Sequence, residues 1–345
     1  MSEHTQLPEW PRLMPAPPAG VFKQQPEHFV VVEELGFTPE GQGKHLWCWV
    51  EKRGVDTLHA IKQCARVLGL CERDIGYSGI KDRQAVTRQW LSFPTELPPD
   101  SAQLNALEQL GVTLLECIPH PRKLKRGSHR RNRFELVVGF AEQDRSNVSE
   151  RWQRLVQQGV PNYFGSQRFG FQGANIERAR RLLARGWRKR EDRQGLLLSS
   201  ARSYLFNMTL AARIEAGNWD QALAGDVMNL DGTNSLFSAA NEQPERISER
   251  LTTLDIHPTA PLWGKGEPGT QADALVLEQT CVAHEQELVS GLQQAGVEFS
   301  RRATRLRLAS PEWQVQEHGA RLVFSLARGA YATSVLRELM SAPGL

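Results

Sequence analysis

Long apolar runs are missing from this sequence: no stretch is long enough to cross a bilayer, and the first residues lack the hydrophobic segment of a secretion signal. A membrane-bound or exported chain is therefore not expected, and the reading places the protein in the cytoplasm. Cysteine is scarce as well. Cys48, Cys64, Cys71, Cys117 and Cys281 form no CxxC pair and no compact ligand pattern, so neither a disulfide framework nor a zinc site is expected. Short internal repeats and a long charged tail are also lacking. The net charge of +3 is too small to argue for a polyanionic partner by its sum.

Its distribution says more. Arg122, Lys123, Lys125, Arg126, Arg130, Arg131 and Arg133 crowd one short stretch with His120 and His129, and a second arginine-rich stretch runs from Arg178 to Arg193. Clusters of this kind release counterions from a phosphate backbone, which makes a nucleic acid a reasonable partner. At 345 residues the chain exceeds the usual span of one hydrophobic core, so two domains are expected.

The stretch that organises the rest is Gly76-Tyr77-Ser78-Gly79-Ile80-Lys81-Asp82-Arg83-Gln84-Ala85-Val86. Its glycines allow backbone shapes that other residues resist, and Lys81-Asp82-Arg83 sets one acid between two bases before a strand-like run. That is a positioned loop carboxylate or, on a plainer reading, a solvated turn between a helix and a strand.

The elements before and after it read as a strand-rich fold. A proline-rich approach through Gly20 leads to strands at 29–32 and 45–50, then a helix over 58–68 capped by Thr57 and ended by Gly69. A strand over 86–93 stops at Pro94, a helix starts at Ser101, and strands follow at 112–116 and 134–138, with a charged loop or hairpin between these last two. A helix over 147–158 precedes the glycine and aromatic segment 159–170, which is neither a GxGxxG fingerprint nor a Walker A loop. Helices over 176–183, 201–214, 219–223 and 274–292 mark a different region, in which 258–266 reads as a constrained loop. Asp226 and Asp231 fall in loops there, without the spacing of a calcium loop. Strand character returns at 306–308 and 322–326, and Thr333 or Ser334 caps a last helix. The return implies that the helical region interrupts the first domain.

Three segments together are specific enough to name a family. Gly79-Ile80-Lys81-Asp82-Arg83-Gln84-Ala85-Val86-Thr87-Arg88-Gln89, Val160-Pro161-Asn162-Tyr163-Phe164-Gly165-Ser166-Gln167-Arg168-Phe169-Gly170 and Ala332-Thr333-Ser334-Val335-Leu336-Arg337-Glu338-Leu339 closely resemble the tRNA pseudouridine synthase D, or TruD, family. The resemblance implies an α/β (α+β) fold: a pseudouridine-synthase catalytic domain on a central mixed sheet, interrupted by an inserted TRUD domain. The expected boundaries are 1–157 for the first catalytic portion, 158–300 for the insert and 301–345 for the completing portion.

The resemblance also implies the chemistry. It predicts isomerisation of uridine to pseudouridine in transfer RNA, at position 13 of selected transfer RNAs, in a cleft between the domains and without a cofactor or metal. Asp82 aligns with the catalytic aspartate. Lys23 matches a basic active-site position, Asn132 a position that hydrogen-bonds the base, and Phe134 the aromatic that stacks on the target uracil. Transfer RNA is the expected partner, the chain a monomer with no obligate protein partner. Two other readings stay open at this point: a catalytically inactive RNA-binding or RNA-folding protein, and an acid-dependent enzyme acting on free nucleosides or sugars.

Overall fold

The computed structural model describes residues 7–193 and 195–345. The chain opens with strands β1 (Gly20–Phe22), β2 (Phe29–Glu34) and β3 (His45–Arg53) and helix α1 (Thr57–Leu68). Strands β4 (Gly76–Tyr77) and β5 (Val86–Phe93), helix α2 (Ser101–Glu108), and strands β6 (Val112–His120) and β7 (Arg131–Phe140) follow. Next come α3 (Arg145–Gln158), β8 (Val160–Pro161), α4 (Ala174–Ala184), α5 (Leu196–Glu215), β9 (Val227–Leu230), β10 (Leu236–Ser238) and α6 (Pro244–Thr252). Strand β11 (Ile256–Leu262), helices α7 (Ala272–Cys281) and α8 (Gln286–Gln294), and strands β12 (Ser300–Ala303) and β13 (Arg305–Leu306) complete that stretch. The chain then returns through β14 (Ala309–Gln316) and β15 (Gly319–Ala327) and ends in α9 (Ala332–Leu339).

These elements form two compact units. One comprises 19–145 and 308–329; the other comprises the start of the chain through Pro18, 146–307 and 330–345. In the first, nine strands make one sheet in the order β14-β15-β7-β2-β5-β3-β6, with β1 added to β7 and β4 to β5. The β2–β5 pair is parallel and the others are antiparallel, so the sheet is mixed. Ala60, Ile61, Cys64 and Ala65 of α1 and Leu107 of α2 bury against Leu46, Val50, Leu91 and Phe93 of the sheet. Helix α1 is capped by Asp56, whose side chain accepts from the His59 N–H, and not by Thr57, which is its first residue; it ends at Gly69 in the left-handed conformation, as its sequence predicts. Helix α2 likewise opens on Asp100, in a reciprocal capping box with Gln103.

The second unit packs α4, α5 and α8 around Phe169, Phe206, Leu205, Leu210 and Leu288. Tyr163 and Phe164 are buried in the same core. Its antiparallel four-stranded sheet, β10-β9-β11-β12, is not expected from the sequence. Prolines conceal it: Pro258 and Pro261 lie inside β11, which pairs with β9 over Ile256–Pro258 and with β12 over Thr259–Leu262. Residues 219–223 are a turn running into irregular backbone rather than a helix, and the helix expected over 274–292 breaks into α7 and α8 at 282–285. Helix α9 begins after Tyr331 with no side-chain cap, so neither Thr333 nor Ser334 caps it. Asp226 has both oxygens engaged by the buried Arg213 guanidinium, at 2.9 Å each, and Asp231 stands 3.0 Å from His257.

One cysteine expectation is corrected. Cys48 on β3 and Cys117 on β6 stand directly opposite in register and are joined as a disulfide. They are 69 positions apart in sequence, and only the pairing of the two strands brings them together.

Candidate active site

The Asp82 loop is clamped by its backbone. The N–H of Lys81 donates to Thr57 Oγ1 at 2.9 Å, Thr57 Oγ1 donates to Gln89 Oε1 at 2.8 Å, and Gln89 Nε2 donates to the Gly79 carbonyl at 3.1 Å. The fully buried ammonium of Lys52 closes the other side, donating to the carbonyls of Val55 at 2.7 Å, Asp82 at 3.0 Å and Lys81 at 3.4 Å. Gly76 and Gly79 are not in the left-handed region, so their contribution is space rather than conformation. A Cβ on Gly76 would meet the Leu124 carbonyl oxygen at 2.4 Å, and one on Gly79 would stand 3.0 Å from the His129 ring. The loop thus holds its main chain fixed while the Asp82 side chain stays 51% exposed.

Asp82 Oδ2 accepts from Lys23 Nζ at 2.9 Å. Lys23 follows β1 with φ +54°, a left-handed conformation uncommon for a residue with a side chain and costing on the order of 1 kcal/mol or more. Its ammonium also lies 3.9 Å from the centroid of the Phe29 ring. Phe29 in turn meets Phe134 edge-on, with centroids 6.2 Å apart.

The remaining placements follow from strand register. On β7, Asn132 and Phe134 are two residues apart and so face the same way; on β2, Phe29, Val31 and Glu33 do the same. Pairing sets Glu33 opposite Asn132 and Val31 opposite Phe134, while β15 adds Phe324 opposite Phe134. Phe134 is consequently packed between Phe29 and Phe324 and is 6% exposed. Asn132 is buried, and its Oδ1 accepts from Lys81 Nζ. The same ammonium stands 3.0 Å from Glu33 Oε2. Lys81, which follows Ile80 in the loop, therefore points inward to a buried carboxylate, while its neighbour Asp82 carries an exposed one.

A second buried pair backs this network. Ser78 Oγ lies 2.6 Å from His129 Nδ1 and accepts the His129 backbone N–H at 2.7 Å, and His129 Nε2 is 3.4 Å from Asn132 Nδ2. Burial, reinforced by the Lys81 and Arg328 cations, pushes the His129 pKa down to about 4, so the ring is neutral at neutral pH. Burial raises the Glu33 carboxyl while the Lys81 cation acts against that rise. Burial lowers the Lys52 ammonium to about 8, opposed by the charges of Asp56 and Asp82. The structure thus brings Asp82, Lys23, Asn132 and Phe134 together through Lys81 and Phe29. Among the described residues, no group of three or more His, Cys, Asp or Glu side chains is arranged to hold a metal ion.

The TruD family, described as tRNA pseudouridine synthase D, matches over residues 16–193 and 190–339. The chain belongs to this family. It is 47% identical over 341 residues to the tRNA pseudouridine synthase D of Chromohalobacter salexigens, covering 98% of each chain. It is 43% identical over 324 residues to the protein of that name from Ectopseudomonas mendocina, covering 93% of this chain and 91% of the other. A solved chain from Methanosarcina mazei assigned to tRNA pseudouridine synthase D superposes with a TM-score of 0.72 at 22% identity, over 96% of each chain, and shares the fold.

Within this TruD chain, sequence reasoning missed Lys52, Thr57 as a loop clamp, Glu33 and His129. Lys52 lies on β3 and Glu33 on β2, each just past the end of the strand read from the sequence, and their partners appear only once register is known. The one local signal is at Glu33 and Lys52: an ionisable residue on the buried alternation of its strand demands a partner.

Proposed function

We propose that this chain isomerises uridine to pseudouridine in transfer RNA, with position 13 of selected transfer RNAs as the target and Asp82 as the reacting residue. The observation that carries the reading is the Asp82 loop itself: a rigidly bonded main chain presenting a half-exposed carboxylate 2.9 Å from a lysine, in a member of the tRNA pseudouridine synthase D family. The uracil leaves its nitrogen bond to the ribose, turns while held and rejoins through carbon. Two roles for the carboxylate fit this arrangement: attack on the anomeric carbon, or removal of a ribose proton as the glycosidic bond opens. Lys23 orients the carboxylate through the ion pair. The reading keeps Phe134 as the ring that meets the uracil, through the small part of it that solvent reaches, and Asn132 as a hydrogen-bond partner of the base. A phenylalanine moves no proton, so the final deprotonation at carbon falls to another group or to water.

Reaching a uridine inside folded RNA requires flipping it out of its stack, at about a few kcal/mol. The exposed cations of the 122–133 segment offer phosphate contacts that offset this cost. The reading also takes 1–157 and 301–345 as one catalytic domain interrupted by 158–300, bounds that differ from the compact units, which group 146–157, 301–307 and 330–345 with the inserted segment; it takes the protein as a cytoplasmic monomer working without a cofactor. Among the described residues no helix is long and apolar enough to cross a membrane.

The test is site-resolved pseudouridine detection in unmodified transfer RNA after incubation with wild type and, separately, Asp82→Asn. Conversion at position 13 by wild type alone is expected. Conversion by both would unseat Asp82, and binding without conversion by wild type would favour an RNA-binding protein without turnover.

A further inference from the structure

We propose that Phe171, at the head of the arginine-faced helix α4, stacks on an unpaired nucleotide of the bound transfer RNA. The proposal rests on the transfer-RNA reading above and assigns an RNA contact to the unit that contains α4, not the one that carries Asp82.

Two phenylalanines two residues apart have opposite fates here. Phe169 is fully buried in the core, whereas Phe171 is 84% exposed. Gly170, Gln172 and Gly173 have φ of +74°, +50° and +78°, so the chain folds back sharply on either side of Phe171. The buried Asn175 carboxamide lies 3.0 Å from where a Cβ on Gly170 would sit. A left-handed glutamine is strained, and such strain concentrates where a side chain is held for a purpose.

The helix that follows supplies the charge. Ile176, Ala179, Leu182 and Leu183 face the core, leaving Arg178, Arg181 and Arg185 exposed at the three- and four-residue spacing of one helical face. An aromatic ring followed by a row of guanidiniums is the combination that holds single-stranded nucleic acid: the ring takes a base face and the cations take the phosphates. Arg185 already pairs with Glu191, but an apolar protein partner would leave Arg178 and Arg181 without counter-charges, so RNA is the occupant that both halves of the surface fit.

The experiment measures the Kd of the full-length protein for unmodified transfer RNA across a salt series. Phe171→Ala and Phe171→Leu should each weaken binding about fivefold or more with the salt slope unchanged, and Phe171→Tyr should bind as wild type does. Because the side chain is exposed, thermal unfolding of all three should match wild type. The combined R178A/R181A/R185A variant should lower the slope of log K against log salt by about 2. Wild-type affinity in Phe171→Ala, or affinity restored by leucine, overturns the stacking; an unchanged slope in the arginine variant overturns the phosphate contacts. If wild type forms pseudouridine while the Phe171 variants bind unaltered, this inference alone falls. If wild type neither binds nor modifies transfer RNA, the functional reading falls with it.

Discussion

Lys52 donates to three carbonyl oxygens, two of them in the loop that presents Asp82, and it can do so only with three N–H bonds. Loss of its proton leaves two donors and a lone pair facing a carbonyl. Burial brings the ammonium down from 10.5 to about 8, and the groups acting on it are Asp56 and Asp82, which raise it, and Lys81, which lowers it. The sign of each effect is then fixed. An unfolded chain keeps this proton up to the ordinary lysine range, so between about 8 and 10.5 the unfolded state binds more protons, and the contribution of Lys52 to stability increases with pH. The loop bonds move the other way, because the charged donor is lost as pH rises through about 8. We therefore expect single-turnover pseudouridine formation to fall above about pH 8 without loss of folded protein. In Lys52→Arg, whose guanidinium stays protonated, that limb should move to higher pH. A rate that is flat through pH 9 in wild type, or an identical limb in Lys52→Arg, would contradict the assignment.

At the scale of elements, the legible features are those carried by local pattern. The strands around Phe29 and Phe134, helix α1 with its terminating glycine and the Asp82 loop all follow from short-range chemistry and from the family segments. The interior of the site does not, because Glu33 meets Lys81 and Asn132 only after β2 and β7 pair in one register. Strand β14 was hidden for another reason: Ala309, Pro311, Trp313 and Val315 alternate with polar residues, but a proline inside the run reads as a break, and no residue of the strand is fully buried. The basic segment 122–133 lies between these extremes. Part of its charge is consumed locally: Arg126 stacks on the Tyr77 ring at 5.0 Å, Lys123 donates to the Arg73 carbonyl, and Arg133 pairs with Glu135. Arg122, Lys125 and Arg130 remain exposed. Replacing these three with alanine should weaken transfer-RNA binding at low salt and reduce the salt slope by about 2 to 3, read by filter binding. The same slope as wild type would remove the segment from the RNA interface.

At the scale of the whole molecule, the sheet that carries the candidate site is completed from far along the chain. Strand β15 pairs with β7 from Gly319 opposite Gly139 to Ala327 opposite Arg131, and Arg321 reaches Glu135 across 186 positions of sequence. Without β15, the strand bearing Asn132 and Phe134 has an unpaired backbone along that edge, and Phe134 loses Phe324 from its face. Such non-local pairing forms late and leaves open edges prone to association until it does. A chain stopped after Arg307 should therefore show rapid amide exchange across residues 131–140 and associate in size-exclusion chromatography. A chain stopped after Gly329 keeps β14 and β15 while lacking α9, so amides 131–140 should stay protected even if the other unit loosens. Equal protection of β7 in both fragments would mean that β1 and β2 suffice to hold it; protection in the longer fragment alone would make the returning strands the closing step in building the site.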